Sequence, residues 1–273
     1  MSEIDWESPE SADRYDKNCD HQFRKGKALM EILKIQKGDS VLDVGCGTGV
    51  QALNVSEIIG PSGRLTGIDP STQRIELARK KFAGEPTKNV RFLVGQAEDL
   101  GEVPDNSINR AYFCSSFHWV DDKRSALKEI YRVLVPGGRV GMTTLERDSP
   151  DTIRSLIDPL FSKYNIERGD ELQRGIKRVT APELHDLFSD AGFTGISVEP
   201  RNTPRRYGSP EEFLKYLEEK DRSGLLLKKV PKEIREEIRQ EITRELETHH
   251  NQTSIEFGNV TLFAIASKPD ERN

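Results

Sequence analysis

The sequence predicts an α/β protein: a doubly wound, mostly parallel seven-stranded sheet with a helical insertion between its last two strands. Three observations predict it. Short apolar runs alternate with helix-length segments through the first two-thirds of the chain. One such run ends in a glycine-rich turn that leads straight into a helical pattern, Val41–Val50, VLDVGCGTGV. A charge-dense segment then breaks the alternation before a last apolar run.

Taken in order, the strand-like runs are Ser40–Val44, Arg64–Ile68, Val90–Val94, Arg110–Cys114 and Arg139–Thr143. Helical patterns over Val50–Ile59, Ser71–Phe82 and Lys123–Leu134 separate them, which implies right-handed crossovers and parallel pairing. Pro136, Gly137 and Gly138 predict a sharp turn before the fifth strand. Thr180 is placed to cap a helix running to Ala191, with Glu183 completing a capping box and Gly192 ending it. Ile196–Val198 begins the sixth strand and Val260–Ala266 forms the seventh. Between them, 201–258 is dense in Glu, Lys and Arg and reads as helices. Ile234, Ile238, Ile242 and Leu246 make a narrow apolar stripe there, of the kind that packs on the protein's own body or on a partner helix. The expected organisation is a core of residues 1–200 and 259–273, with an N-terminal helical segment over about 1–38, and an insertion of 201–258. The insertion and the stretch Tyr15–Phe23 are expected at the strand C-termini, as a lid.

With 273 residues the chain can bury a core without disulfide or metal staples. Its net charge of −5 gives no general attraction to nucleic acid or to an anionic membrane. Cys19, Cys46 and Cys114 are too few and too scattered for a zinc site or a disulfide framework, so no metal is expected. The acidic, polar N-terminus is unlike a signal peptide, and the longest apolar runs are strand-length. These features describe a soluble, cytoplasmic protein; they leave its oligomeric state open.

The chemistry sits at the glycine turn. Asp43 ends a strand, and Gly45, Gly47 and Gly49 follow before a helix, so a ligand can approach the backbone beside a helix N-terminus. Asp69 ends the second strand, where a carboxylate can bond a pair of ribose hydroxyls. Together they imply a cofactor that contains adenosine. Val50 stands where the dinucleotide fingerprint needs glycine, which argues against a nicotinamide cofactor.

GxGxG preceded by Asp43 resembles the first motif of the class I S-adenosylmethionine-dependent methyltransferases, which have a Rossmann-like fold. Gly67–Ser71, Gly95–Leu100, Asn106–Ile108 and the run ending RVLVPGGRV resemble further motifs of that family, over about residues 20 to 145. The resemblance implies S-adenosyl-L-methionine as cofactor. It places Asp43, Gly45, Cys46, Gly47 and Gly49 around the methionine portion, with Cys46 as packing rather than nucleophile. It puts Asp69 on the ribose, Pro70 on the adenine face, and Gln96 and Ala97 at the adenine edge, with Tyr15 and Ser115 also at the cofactor. Gln96 and Arg74 depart from the usual Asp and apolar residue. His118, after the fourth strand, is the candidate general base, with a structural loop histidine as the alternative.

The acceptor is less legible. There is no Asn/Asp-Pro-Pro-Tyr/Phe after the fourth strand and no basic, aromatic-rich module, which weighs against nucleic acid and leaves a small molecule. Gln22, the FHWV run and the insertion beginning SPEEFLKYL are similar to methyltransferases of small carboxylic acids, such as the trans-aconitate and juvenile hormone acid enzymes. That likeness implies that Gln22 and Trp119 touch the acceptor, and that the acceptor is a carboxylate. A carboxylate would want a cationic clamp, for which Arg201, Arg205 and Arg206 are available. The competing readings are a protein or lipid acceptor and a non-catalytic cofactor-binding protein.

Overall fold

The computed structural model describes residues 8–9, 12–13, 16, 20–83, 89–149, 152–166, 176–220, 230–249 and 255–270. Tyr15 and Cys19 lie outside the described residues. The chain divides into two compact units. The first is 1–147, 177–201 and 261–273; the second is 148–176 and 202–260.

In the first unit, α1 (Asp20–Leu33) precedes β1 (Ser40–Val44), α2 (Val50–Ile59), β2 (Arg64–Asp69), α3 (Thr72–Phe82) and β3 (Val90–Val94). Then come β4 (Ile108–Cys114), a 3-10 turn over Phe117–Trp119, α4 (Lys123–Val133) and β5 (Leu134–Leu145). The second unit holds α5 (Thr152–Lys163), and the first resumes with α6 (Ala181–Asp190) and β6 (Thr194–Asn202). β7 (Arg205–Tyr207), α7 (Pro210–Lys215), α8 (Lys232–His249) and β8 (Ile255–Phe257) belong to the second unit, and β9 (Val260–Ser267) closes the sheet of the first.

The seven strands lie in the order β3-β2-β1-β4-β5-β9-β6. The pairs β1–β2, β2–β3, β1–β4 and β4–β5 are parallel, and β5–β9 is antiparallel. From β1 the chain winds outward to β3, then returns to place β4 on β1's other side. That reversal opens a crevice at the C-terminal ends of β1 and β4. Each face of the sheet has its own core. Alternation sends Val41 and Tyr112 to one face with Leu29, Val55 and Leu65, and Leu42 and Phe113 to the other with Ile130 and Phe188.

The helix starts are written locally. Ser71 Oγ accepts from Arg74 N at 3.3 Å to start α3, and Asp122 accepts from Arg124 N and Ser125 N, both at 3.1 Å, to start α4. The Thr180–Glu183 box is complete, at 3.3 and 2.9 Å. Such caps are worth about 1 kcal/mol each.

Three features differ from the sequence reading. β5 starts at Leu134, not Arg139, and Pro136–Gly138 lies inside it. The register slips between the pairs Ile108–Leu134 and Arg110–Arg139, and Gly137, at φ +72°, takes the left-handed turn of the bulge. Gly137 N and Lys268 O, and Lys268 N and Gly138 O, bond at 3.1 and 2.9 Å, so the bulge is pinned rather than looped out. The interval read as all helices contains the antiparallel pair β7–β8, three residues each. And α5 went unread because Pro159 stands inside it.

The second unit has a core of its own. Ile238, Ile242 and Leu246 of the apolar stripe are buried in it with Ile157, Phe161 and Leu217, and Phe213 stacks on Phe257 at 4.3 Å. Among the described residues no helix is long and apolar enough to cross a membrane.

Candidate functional site

At the end of β1, Gly45, Gly47 and Gly49 all have positive φ, +75°, +56° and +76°, a region that costs other residues free energy. Close approach matters as well at Gly45: a Cβ there would stand 2.3 Å from Ser116 Cβ. Ser116 Oγ donates to Val44 O at 2.5 Å, so the turn is sealed against the segment that follows β4.

The turn is held from below by the end of β2. Gly45 N and Cys46 N both donate to Ile68 O, at 2.7 and 3.0 Å. Asp69 is buried; its Oδ2 accepts from Gly47 N at 2.9 Å and its Oδ1 from Ser71 N at 3.0 Å. The carboxylate thus joins the glycine turn to the start of α3. Lys81 of α3 adds a bond to Thr48 O at 3.0 Å and pairs with Asp16.

Asp43 is buried beneath the turn. Tyr112 Oη donates to its Oδ2 at 2.6 Å. Burial pushes the Asp43 carboxyl up to about 7; the Tyr112 bond opposes that and the nearby charge of Asp69 adds to it. Burial, then the charges of Asp43 and Asp69, hold the Cys46 thiol well above its ordinary range. A neutral thiol here packs and does not attack.

Two clefts flank the turn, and Gly45 lines both. The larger has a volume of about 190 Å³ and is lined by Pro70, Gln96, Ala97, Ser116 and Trp119 among others. The smaller, about 30 Å³, is lined by Gln22, Asp43, Cys46, Gln51 and Cys114 among others. Asp69, Gly47 and Gly49 line neither of these two clefts; the predicted residues that do line them sort between the two. Pro70, Gln96 and Ala97 come together on one side of Gly45, and Asp43, Cys46 and Gln22 on the other. Trp119 stands with the first group and not beside Gln22. His118 is buried, with its ring centroid 5.5 Å from that of Trp119, and lines neither of these two clefts. Ser115 lines neither; at φ +57° its N–H donates to Thr143 O and Oγ1, both at 3.0 Å. Among the described residues no group of His, Cys, Asp and Glu could hold a metal.

Sequence reasoning missed Tyr112, Ser116 and Gln51. Tyr112 becomes visible only through register, as the β4 partner of Asp43. Gln51 did leave a signal: it shares the buried face of α2 with Val55 and Ile59, a polar residue on an apolar stripe.

The crevice at the strand reversal, a positive-φ glycine turn packed at Gly45 against Ser116 and a carboxylate at the end of β2 define a nucleotide-type cofactor site. A family model described as a methyltransferase domain matches residues 41–138. A demethylmenaquinone methyltransferase from Listeria welshimeri is 32% identical over 181 residues, 62% of this chain and 76% of the relative. One from a Geobacillus species is 33% identical over 183 residues, 62% and 77% respectively. A solved S-adenosylmethionine-dependent methyltransferase from Aquifex aeolicus superposes with a TM-score of 0.54 at 20% identity, over 71% of this chain and 91% of that one. The chain belongs to the class I S-adenosylmethionine-dependent methyltransferases.

Proposed function

We propose that the enzyme methylates a neutral small molecule, with a quinone-type ring, as in the names of its relatives, the first candidate. S-adenosylmethionine, when bound, supplies a methyl group on a sulfonium whose leaving group is a neutral thioether. As the S–CH₃ bond breaks and a bond to a carbon of the reduced (quinol) ring forms, one proton leaves the ring to solvent; the protein's work is then alignment of donor and acceptor.

The observation that carries the placement of the cofactor is Gly45 lining both clefts. The adenosine end lies in the larger cleft, between Pro70 and Ala97, with the Gln96 amide at the adenine edge. Asp69, bonded to Gly47 N and Ser71 N, lines neither of the two clefts and is assigned to the ribose by its place at the end of β2. The methyl group is carried where the clefts meet, near Gly45 and Ser116, and the acceptor approaches there, against Trp119.

A neutral acceptor is favoured over a carboxylate because the arginines suggested as a clamp are engaged. Arg201 pairs with Glu199 at 2.8 Å and lies over the Phe263 ring at 4.5 Å. Arg206 pairs with Glu256 at 2.6 Å, and Arg205 lies over the Tyr216 ring at 4.9 Å. His118, buried and outside both clefts, packs the turn instead of serving as base.

The test is transfer of labelled methyl from S-adenosylmethionine, with a ring-unmethylated naphthoquinol, a panel of small carboxylic acids and a cell extract as separate acceptors. Label in the extracted naphthoquinone supports the reading. Label only in the acids restores the carboxylate, label only in macromolecules points to a protein acceptor, and tight cofactor binding without transfer to any acceptor indicates a binding protein.

A further inference from the structure

We propose that Gln51, with Gln22, binds the amino-acid end of S-adenosylmethionine; this rests on the cofactor placement above. Gln51 is 7% exposed, yet neither its Oε1 nor its Nε2 has a hydrogen-bond partner, and the Oε1 of half-buried Gln22 is enclosed and unbonded in the same way. Buried amides are normally satisfied. Both of these line the smaller cleft, beside Asp43 and Gly45.

The chemistry of that cleft selects the ligand group. A cofactor whose adenosine fills the larger cleft extends past Gly45 into the smaller one, so the group arriving there is an ammonium beside a carboxylate. The ammonium needs acceptors and the carboxylate needs donors. An amide offers both, and the argument holds whichever way each amide is turned. Among the described residues the cleft lining holds no Lys, Arg or His, so the donors it offers the carboxylate are neutral, while Asp43 supplies the negative charge that faces the ammonium. The fold makes room for this arrangement. A Cβ on Gly26 of α1 would stand 2.3 Å from Gln51 Oε1 and 3.0 Å from Cys114 Sγ, so a glycine is what lets α1 lie across the amide.

The experiment is calorimetric binding of S-adenosylhomocysteine and of 5′-methylthioadenosine, which lacks the amino-acid end, to the full chain and to Gln51→Leu and Gln22→Leu. Each variant is expected to bind S-adenosylhomocysteine roughly ten- to hundredfold more weakly, the worth of hydrogen bonds to charged groups, and methylthioadenosine as the parent does. Gln51→Leu should also leave the thermal midpoint of the unliganded protein unchanged or raised, since it removes an unbonded amide. Unchanged S-adenosylhomocysteine affinity, or an equal loss for both ligands, overturns the proposal. Asp69→Ala separates the two levels: it should weaken both ligands alike, and if it weakens neither, the placement of the cofactor itself is wrong.

Discussion

Tyr112 and Asp43 are register partners on adjacent strands, and the tyrosine hydroxyl donates to Asp43 Oδ2 at 2.6 Å with both residues buried. The pair places an acid under the glycine turn in surroundings that resist its ionisation. Its carboxyl, at about 7 against an ordinary 3.8, stabilises the unliganded fold fully below pH 3.8, and that contribution is lost as pH rises through 7. Asp43→Asn, which keeps an oxygen for the tyrosine, should therefore stabilise the unliganded protein by roughly 1–3 kcal/mol at pH 8.5, the usual cost of a poorly compensated buried group. At pH 4 it should do almost nothing. Denaturant midpoints at the two pH values check this; equal effects at both would show that the carboxyl is not protonated in the fold.

The same acid should make cofactor binding pH-dependent. Among the described residues the titratable groups next to it are Tyr112 from β4, Asp69 from β2 and Cys46 from the turn, with Arg74 of α3 the cation that acts on Cys46. A bound ammonium favours the ionised carboxylate, so binding releases a proton, and affinity for S-adenosylhomocysteine should rise as pH increases from 6 to 8. Tyr112→Phe removes the bond that lowers the carboxyl's value and should move that rise to higher pH. Asp43→Asn should flatten it. Titrations in buffers of different ionisation enthalpy count the released protons directly.

Much of this architecture was legible in the chain. All seven strands of the main sheet follow from apolar runs punctuated by Gly and Pro, and the α6 capping box could be read from Thr180 and Glu183 alone. The glycine turn was legible because positive φ leaves few residues to choose from. What stayed hidden depends on distance along the chain. Asp43 and Tyr112 are 69 positions apart, and Ser116 and Val44 are 72 apart, joined only by sheet register. α5 was masked by Pro159, and β7 and β8 are too short to show alternation. Gln22 and Trp119 were paired by likeness to other enzymes, and no local pattern could have shown that they line different clefts.

Substitution can separate the structural role of Asp69 in the turn from its proposed role at the ribose. Asp69→Ala strips the acceptor from Gly47 N and Ser71 N, and should cost about 1–3 kcal/mol in cofactor affinity and a similar amount in stability. Asp69→Asn keeps one oxygen for the backbone but presents an NH₂ where the second was needed. It should recover part of the stability and little of the affinity. Parallel loss and recovery of the two quantities would mean that Asp69 only builds the turn.

His118→Ala tests whether proton removal is part of catalysis. The side chain is buried against Trp119, so truncation should lower stability by a few kcal/mol through the cavity left behind. With the cofactor saturating and the protein still folded, kcat should stay within about threefold of the parent if His118, which lines neither cleft, packs as proposed. A loss of a hundredfold or more, together with the disappearance of one limb of the pH–rate profile, would restore it as the base.

Gly45→Ala should damage the enzyme in two ways that a second substitution can tell apart. The added Cβ stands 2.3 Å from Ser116 Cβ and forces a residue with a side chain to hold φ +75°. The clash is relieved by Ser116→Gly; the backbone strain, of the order of 1–3 kcal/mol, is not. Ser116→Gly alone gives up the 2.5 Å bond to Val44 O and should cost about 1 kcal/mol. The double variant should therefore be more stable than the sum of the two single losses predicts, a positive coupling, while staying below the parent. Simple additivity would mean that the turn shifts away from Ser116 freely, and that the junction between the clefts is softer than its packing implies.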